Sequence, residues 1–472
     1  DGKGAEKRPS FVIGRIARLL PSISVETESA DKEYRLSAKS TALEYAGEHI
    51  GGALWQYFEG QGDAERALAA MKDASRYTRG HLSRDAVRAL YGGAVTLSAS
   101  RMDMARSCHF AYFMRYGLKA RERTGAGFDA PQIGTFVHDV MEHTLRQAKE
   151  CGGLHTLSKD KLHALVHASI EEYIDRVLPD LCEKSARFRY LFNRLCATVE
   201  RIMDEVSEEL QSSDFEPLAF ELEFGADGQL PAITIREENG TARVVGKVDR
   251  VDGWLHDGKL YLRVVDYKTG KKSFDLAELR YGLGLQMLLY LFTLKEEGQM
   301  LFGGHEIVPA GVLYTPAREP MLRCARDTEP EKIEKALKKE LRRSGMVLED
   351  PAVLQAMEHS ALESPCYLPI AVKRDGAVTG SLASAEQLGK LSKYVDHILH
   401  EITQEVFAGN IDADPYARTP QQSACTYCEF ASACHFENGC GSDRMEYIKA
   451  TKSDEFWQYI DEVNGEGAHE NG

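Results

Sequence analysis

At 472 residues, with 43% apolar and 28% charged side chains, the chain is long enough for two or three domains and a large core. No run of eighteen apolar residues occurs, so no membrane-spanning helix is expected. A formal charge of −15, from 58 basic and 73 acidic residues, excludes a general nucleic-acid coat and leaves room only for local contacts with DNA.

The chain opens Asp1-Gly2-Lys3-Gly4, with neither an initiator Met nor an apolar signal core, as a piece of a longer protein would. Residues 1–95 show helical patterns, such as Thr41 to Glu59 and Asp63 to Ser75, and no cluster of reactive side chains. They read as a helical remnant of an upstream domain. No G-x4-G-K-[ST] occurs, so no intact P-loop ATPase lies in the chain. Ser100 with Asp103 three residues on forms a capping-box pattern ahead of a helix containing Cys108-His109-Phe110.

From Gln132 to Glu142 the pattern is a turn followed by a helix, with His138 and Glu142 on one face. Leu154 to Gln211 is helical by periodicity; Arg187, Arg189, Arg194 and Arg201 are either DNA-backbone contacts or solvated charges. Pro217 to Phe224 and Ala232 to Arg236 alternate as strands, and Glu221 and Glu223, which point the same way, could approach a site but read first as the polar face of an edge strand.

The chemistry concentrates between Gly246 and Lys271. Arg243 to Val251 and Leu260 to Tyr267 alternate with period two, and the polar stretch Gly253 to Gly258 joins them, which predicts an antiparallel hairpin. Alternation puts Asp266 and Lys268 on one face and Tyr267 on the other, with Asp249 able to meet the pair across the sheet. Two converging carboxylates repel, so a site that keeps both ionised suits a hard cation. A lysine beside them can orient water or stabilise a developing oxyanion, which is the chemistry of metal-assisted phosphodiester hydrolysis.

Gln286 and Tyr290 follow, four residues apart on one helix face. Ala310 to Tyr314 reads as a further core strand, and Pro330 to Arg343 and Ala385 to Phe407 as helices. Ten cysteines without a secretory signal read as thiols or metal ligands. Cys425, Cys428 and Cys434 form C-x2-C-x5-C, three soft ligands on a short loop, and Cys440 is one candidate for a fourth, giving a zinc-like knuckle. The tail beyond Asp461, acidic and rich in glycine, reads as disordered.

Asp249 followed by Asp266-Tyr267-Lys268 resembles the D…(D/E)xK motif of the PD-(D/E)XK nuclease superfamily, and the Gln286-x3-Tyr290 helix resembles that of its RecB-like branch. The Ser98 to Leu118 stretch and the late cysteines resemble the AddB-type subunit of bacterial helicase–nucleases, with His109 where that family usually has proline. The resemblance spans about residues 96–440. It implies an α/β, restriction-endonuclease-like core, a mixed sheet flanked by helices, with a helical block before it (1–95) and a tail after it (441–472). It further implies Asp249, Asp266, Lys268, Gln286 and Tyr290 as catalytic residues. Mg2+ or Mn2+ would lie between His138, Asp249, Asp266 and the Tyr267 carbonyl. A [4Fe–4S] cluster on Cys108, Cys425, Cys428 and Cys434 would staple the domain. Glu142, on the helix face of His138, is from its position a candidate to hold the imidazole.

The implied activity is that of a DNA exonuclease in the bacterial cytoplasm, acting with an AddA-like helicase partner on duplex ends. It would degrade the unwound 5′-ended strand in double-strand break repair. A freestanding Cas4-like exonuclease and a non-catalytic DNA-end-binding module are the rival readings.

Overall fold

The computed structural model describes residues 11–23, 35–74, 78–121, 130–180, 185–225, 228–325, 327–419 and 421–470. Its strands run β1 (Ala94–Leu97), β2 (Glu216–Phe224), β3 (Ile233–Glu237), β4 (Gly240–Val244), β5 (Gly246–His256), β6 (Lys259–Lys268), β7 (Glu306–Pro316), β8 (Ser344–Leu348), β9 (Ile370–Val372), β10 (Val378–Gly380), β11 (Leu382–Ala383), β12 (Tyr416–Thr419), β13 (Gln422–Ser423) and β14 (Glu446–Tyr447).

β5 and β6 form the expected antiparallel hairpin, but the first strand, expected over Arg243 to Val251, divides at Val245 between β4 and β5, and the turn is shorter than the Gly253 to Gly258 connection read from sequence. It is confined to Asp257-Gly258, both with positive φ, the conformation that a tight two-residue hairpin requires. Gly253 instead sits inside β5, where a Cβ would lie 2.4 Å from Leu218 Cδ1 on β2. This glycine answers to packing rather than to a turn.

The hairpin lies within a six-stranded sheet of order β11-β8-β7-β6-β5-β2. β6 and β7 are parallel, as are β8 and β11, while β2 with β5, β5 with β6, and β7 with β8 are antiparallel, so the sheet is mixed. Helix Gln286–Glu297 packs on β6 and β7, and its run from Met287 to Leu294 is buried throughout. A second sheet, β1-β4-β3, carries helix Ala385–Ala408 against β3 and β4.

Two compact units emerge, and they do not follow the 1–95, 96–440 and 441–472 division. One gathers residues 87–106, 122–408 and 449–472, with both sheets just described. The other gathers the described parts of 1–86 with 107–121 and 409–448. In the latter, helices Lys39–Glu48, Ala53–Phe58 and Asp63–Ala74 close a core of their own on Trp55, Phe58 and Leu68. The single helix expected from Thr41 to Glu59 is broken between Glu48 and Ala53, where Gly51 takes φ +80°. Ser75 lies outside the described residues.

Other local expectations shift for identifiable reasons. The helix Ala130–Glu150 starts before Gln132 and runs through Gly134, so no turn precedes His138. Leu154 to Gln211 divides into a 3-10 turn and helices Lys159–Val177 and Ala186–Gln211, the last two capped by Ser158 and Ser185. The Ser100/Asp103 capping box does not form. The helix begins at Ala99, and Asp103 accepts the Gly284 N–H at 2.9 Å instead, fixing the loop before Gln286. The stretch beyond Asp461 is helical through Glu470, continuing a helix whose Phe456 and Ile460 are buried ahead of it, and Asn464 Nδ2 donates to the Lys390 carbonyl at 3.0 Å.

Candidate metal-dependent nuclease site

Arg250 pairs with Val265 across the hairpin, so the next residues outward, Asp249 and Asp266, face each other on one side of the sheet. The Tyr267 N–H donates to Asp249 Oδ2 at 2.9 Å, holding that carboxylate. Lys268 Nζ lies 2.7 Å from Asp266 Oδ2. His138 reaches over the strands from helix Ala130–Glu150: Nε2 is 2.9 Å from the Tyr267 carbonyl oxygen and Nδ1 is 3.4 Å from Asp249 Oδ2. The imidazole, the Asp249 carboxylate and the Tyr267 carbonyl therefore meet, with Asp266 near enough to feel the charges of Asp249 and His138, a donor set dominated by oxygen that fits Mg2+ or Mn2+.

Glu221 belongs to this group, although its sequence pattern favours the edge-strand face over an approach to the site. Ligand atoms of His138, Glu221 and Asp249 lie within 4.8 Å of one another. Phe220 pairs with Arg250 and Leu222 with Val248, which puts Glu221 opposite Asp249; this cross-strand register is the signal that could have found it. Its φ of +49° is uncommon for a residue with a side chain, and such strain gathers at functional positions. Lys247 Nζ, 2.6 Å away, balances its charge. Glu223 is exposed and 3.6 Å from the same ammonium. Glu142 does not hold the imidazole; it accepts from Arg146 Nε at 2.8 Å, while both ring nitrogens of His138 face Tyr267 and Asp249.

Gln286 and Tyr290 share one face as expected, with Gln286 Nε2 donating to the Tyr290 hydroxyl at 3.1 Å. The Tyr290 ring is nonetheless a core residue, packed edge-on against Phe224 at 5.0 Å and over Gly246, where a Cβ would meet it at 2.5 Å. Its hydroxyl end and Gln286 line an open cleft of about 600 Å³ with Ser98, Ser100 and Lys247. Among the arginines of helix Ala186–Gln211, Arg194 pairs with Glu319 and Arg201 donates to the Arg318 carbonyl, whereas Arg187 and Arg189 are exposed.

The charges respond strongly to this crowding. Burial, then the neighbouring Asp249 carboxylate, pushes the Asp266 carboxyl up to about 6 against the pull of Lys268. Burial opposes a charge on His138, yet its hydrogen bond to Asp249 and that residue's charge outweigh it and lift the imidazole to about 9. The metal-free imidazole thus keeps its proton through neutral pH, and a cation must displace it. Apparent Mn2+ affinity is therefore expected to rise about tenfold per pH unit between pH 6 and 9, as one proton leaves, and to level off above. Below pH 6 protonation of Asp266 should steepen the loss. Calorimetry at pH 7.5 in buffers of different ionisation enthalpy would count the released proton; a value of zero would contradict the charged imidazole.

The cysteines gather in the other unit. Cys108 is buried at the start of helix His109–Tyr112, and burial pushes its thiol up to about 12, with Asp414 and Cys434 adding to the rise. Burial also raises Cys434, which Cys425 and Cys428 raise further and Arg79 lowers. Arg79 donates to the Cys434 carbonyl at 2.8 Å and pairs with Asp443. The His109 N–H and ring meet Asp414 at 3.0 and 2.6 Å, so the histidine that replaces proline ties the Cys108 segment to residues 409–448. Cys440 is exposed. Cys182 lies outside the described residues.

A family model described as the PD-(D/E)XK nuclease superfamily matches residues 96–435. The chain is also similar to proteins named as one subunit of an ATP-dependent helicase/deoxyribonuclease. That of Ruminiclostridium cellulolyticum is 30% identical over 488 residues, covering 98% of this chain and 42% of the relative. That of Acetivibrio thermocellus is 31% identical over 484 residues, with the same coverages of 98% and 42%. The chain thus spans about two fifths of the length of the curated relatives it matches. Motif, sheet and match agree, and the chain belongs to the PD-(D/E)XK nuclease superfamily.

Proposed function

We propose that the chain is the nuclease-bearing part of an AddB-type subunit, a Mg2+- or Mn2+-dependent DNA exonuclease. Its role would be to degrade the 5′-ended strand that an AddA-like helicase partner unwinds from a duplex end during recombinational repair. The observation that carries this reading is the meeting of His138, Asp249 and the Tyr267 carbonyl, beside an Asp266–Lys268 pair whose carboxylate feels the Asp249 charge. Glu221 is an additional ligand candidate.

The bound cation would supply Lewis-acid stabilisation of the phosphoryl oxygens and an acidified water. The remaining work falls to the chain itself. Tyr267 N–H aims Asp249, and Lys268 offers its ammonium to the attacking water or to the charge that grows on the phosphate. Gln286 and the Tyr290 hydroxyl line the cleft alongside and suit one strand approached from one side. With a chain charge of −15, such local contacts must do what a basic surface does elsewhere. The intact set of acids speaks against a module that only grips DNA.

Support for the iron–sulfur cluster comes from the electrostatic coupling of Cys108, Cys425, Cys428 and Cys434 within one compact unit. The test of the nuclease uses single-stranded DNA labelled at either end. Mg2+-dependent shortening that EDTA stops, with blunt duplex left uncut until an ATP-driven partner is added, is the expected result. Binding of the strand with no cleavage in Mg2+ or Mn2+ would overturn it.

A further inference from the structure

Behind the candidate site, on the opposite face of the same hairpin, lies a buried network of charges that the proposed chemistry does not use. Arg250, Asp252 and Arg263 are fully buried, and Glu209 and Arg343 almost so. Arg250 donates to Asp252 at 2.9 Å, and Arg263 donates to the same carboxylate oxygen at 2.9 Å. Arg263 then lies 3.7 Å from Glu209, which Arg343 grips at 2.6 and 3.0 Å. Burial works against ionising Glu209, yet Arg343, Arg263 and Arg250 hold its carboxyl down at about 2. Desolvating such ions is costly, and an apolar replacement of equal volume is often no less stable, so stability alone is a poor reason for the arrangement.

The network ends at Tyr267, which touches both faces. Arg250 Nη1 donates to the Tyr267 hydroxyl at 2.7 Å, and the guanidinium carbon lies 5.6 Å from the ring centroid. The backbone of Tyr267, meanwhile, orients Asp249 through its N–H and meets His138 through its carbonyl. The side chain is therefore pinned on one face while the peptide group shapes the site on the other. Glu209 anchors the chain of ions to helix Ala186–Gln211, and Arg343 anchors it beside β8.

We propose that Tyr267 is a positioning residue: its hydroxyl, held by the buried Arg250–Asp252–Arg263–Glu209–Arg343 network, fixes the backbone whose N–H orients Asp249 and whose carbonyl is a candidate ligand. This rests on the metal-dependent reading above and deepens it. The residue between the two charged members of the DxK motif acts through its side chain as well as its backbone.

The test is Tyr267→Phe in the full chain, with Mn2+ affinity measured directly by calorimetry and by the loss of the free-ion EPR signal. The expected result is about tenfold weaker Mn2+ binding, the scale of effect seen when a support behind a metal ligand is removed. Cleavage should recover at saturating Mn2+. Arg250→Lys, which keeps the charge but loses the planar fork, should shift affinity the same way. Tyr394→Phe is the control, since it removes another buried hydroxyl, one bonded to the Leu279 and Arg280 carbonyls. It should lower thermal stability and leave Mn2+ affinity alone. If Tyr267→Phe merely matches Tyr394→Phe, losing stability with Mn2+ affinity unchanged, the positioning role is overturned. If the parent chain itself binds no Mn2+ that Asp249→Ala abolishes, the underlying metal reading fails, and this proposal falls with it.

Discussion

Asp266→Ala or Lys268→Ala should lower the rate of single-strand cleavage about a hundredfold or more while leaving strand binding and folding nearly intact. The two substitutions differ in a way that checks the electrostatics. Asp266 is a buried carboxylate that Asp249 repels, so removing it takes away an unfavourable charge, and the metal-free protein should unfold no more easily than its parent. Lys268→Ala removes the ammonium 2.7 Å from Asp266, so that carboxyl should rise further. Mn2+ binding to Lys268→Ala should then fail at a higher pH than in the parent, because a ligand protonated at higher pH competes longer with the cation. Cleavage rates, thermal melts and Mn2+ titrations across pH 5 to 9 test these points together. If either variant cut at the parental rate, the catalytic assignment would be wrong.

The hairpin and its acids were legible because strand alternation is a local property. Valine-rich period two in β5 and β6 predicts their pairing, and the register, set by a turn tighter than the Gly253 to Gly258 stretch read from sequence, brings Asp249 to Asp266. His138 was legible as a helix-face residue, and Gln286 with Tyr290 as an i,i+4 pair. What escaped the sequence depends on partners far along the chain. Glu221 looks like one of several edge acids until β2 is laid against β5, since only that pairing brings it to Asp249. Arg250, Asp252 and Arg263 alternate as a solvated strand face would, yet they are buried because Glu209 and Arg343, from distant elements, complete the charges. Likewise Asp103 suits a capping box by spacing, and loses that role to a backbone N–H at Gly284. Composition misled beyond Asp461, where glycines and acids concealed that the stretch continues a helix anchored by Phe456 and Ile460 just ahead of it.

Cys108→Ala should strip the protein of iron and of brown colour together, whereas Cys440→Ala should change neither. The difference follows from where the thiols lie. Cys108 is buried and electrostatically coupled to Cys434, which in turn feels Cys425 and Cys428, whereas Cys440 is exposed. Three thiolates on the late loop cannot satisfy a four-iron centre alone, so loss of the fourth should release the cluster rather than loosen it. The damage should then travel through the unit that the cluster would close. The hydrogen bonds from His109 to Asp414 and from Phe110 to the Asp412 carbonyl, with the Arg115–Glu429 pair, join the Cys108 segment to residues 409–448, and those of His109 and Arg115 are only part-buried. Without the cluster, residues 409–448 should exchange amide protons faster, and thermal stability should fall. Binding to duplex ends should weaken although Asp249, Asp266 and Lys268 are unchanged. Anaerobic purification, iron and sulfide analysis and the visible spectrum of the two variants decide the matter. Metal retained in Cys108→Ala and lost in Cys440→Ala would move the site to a self-contained knuckle of Cys425, Cys428, Cys434 and Cys440, and the staple would be refuted.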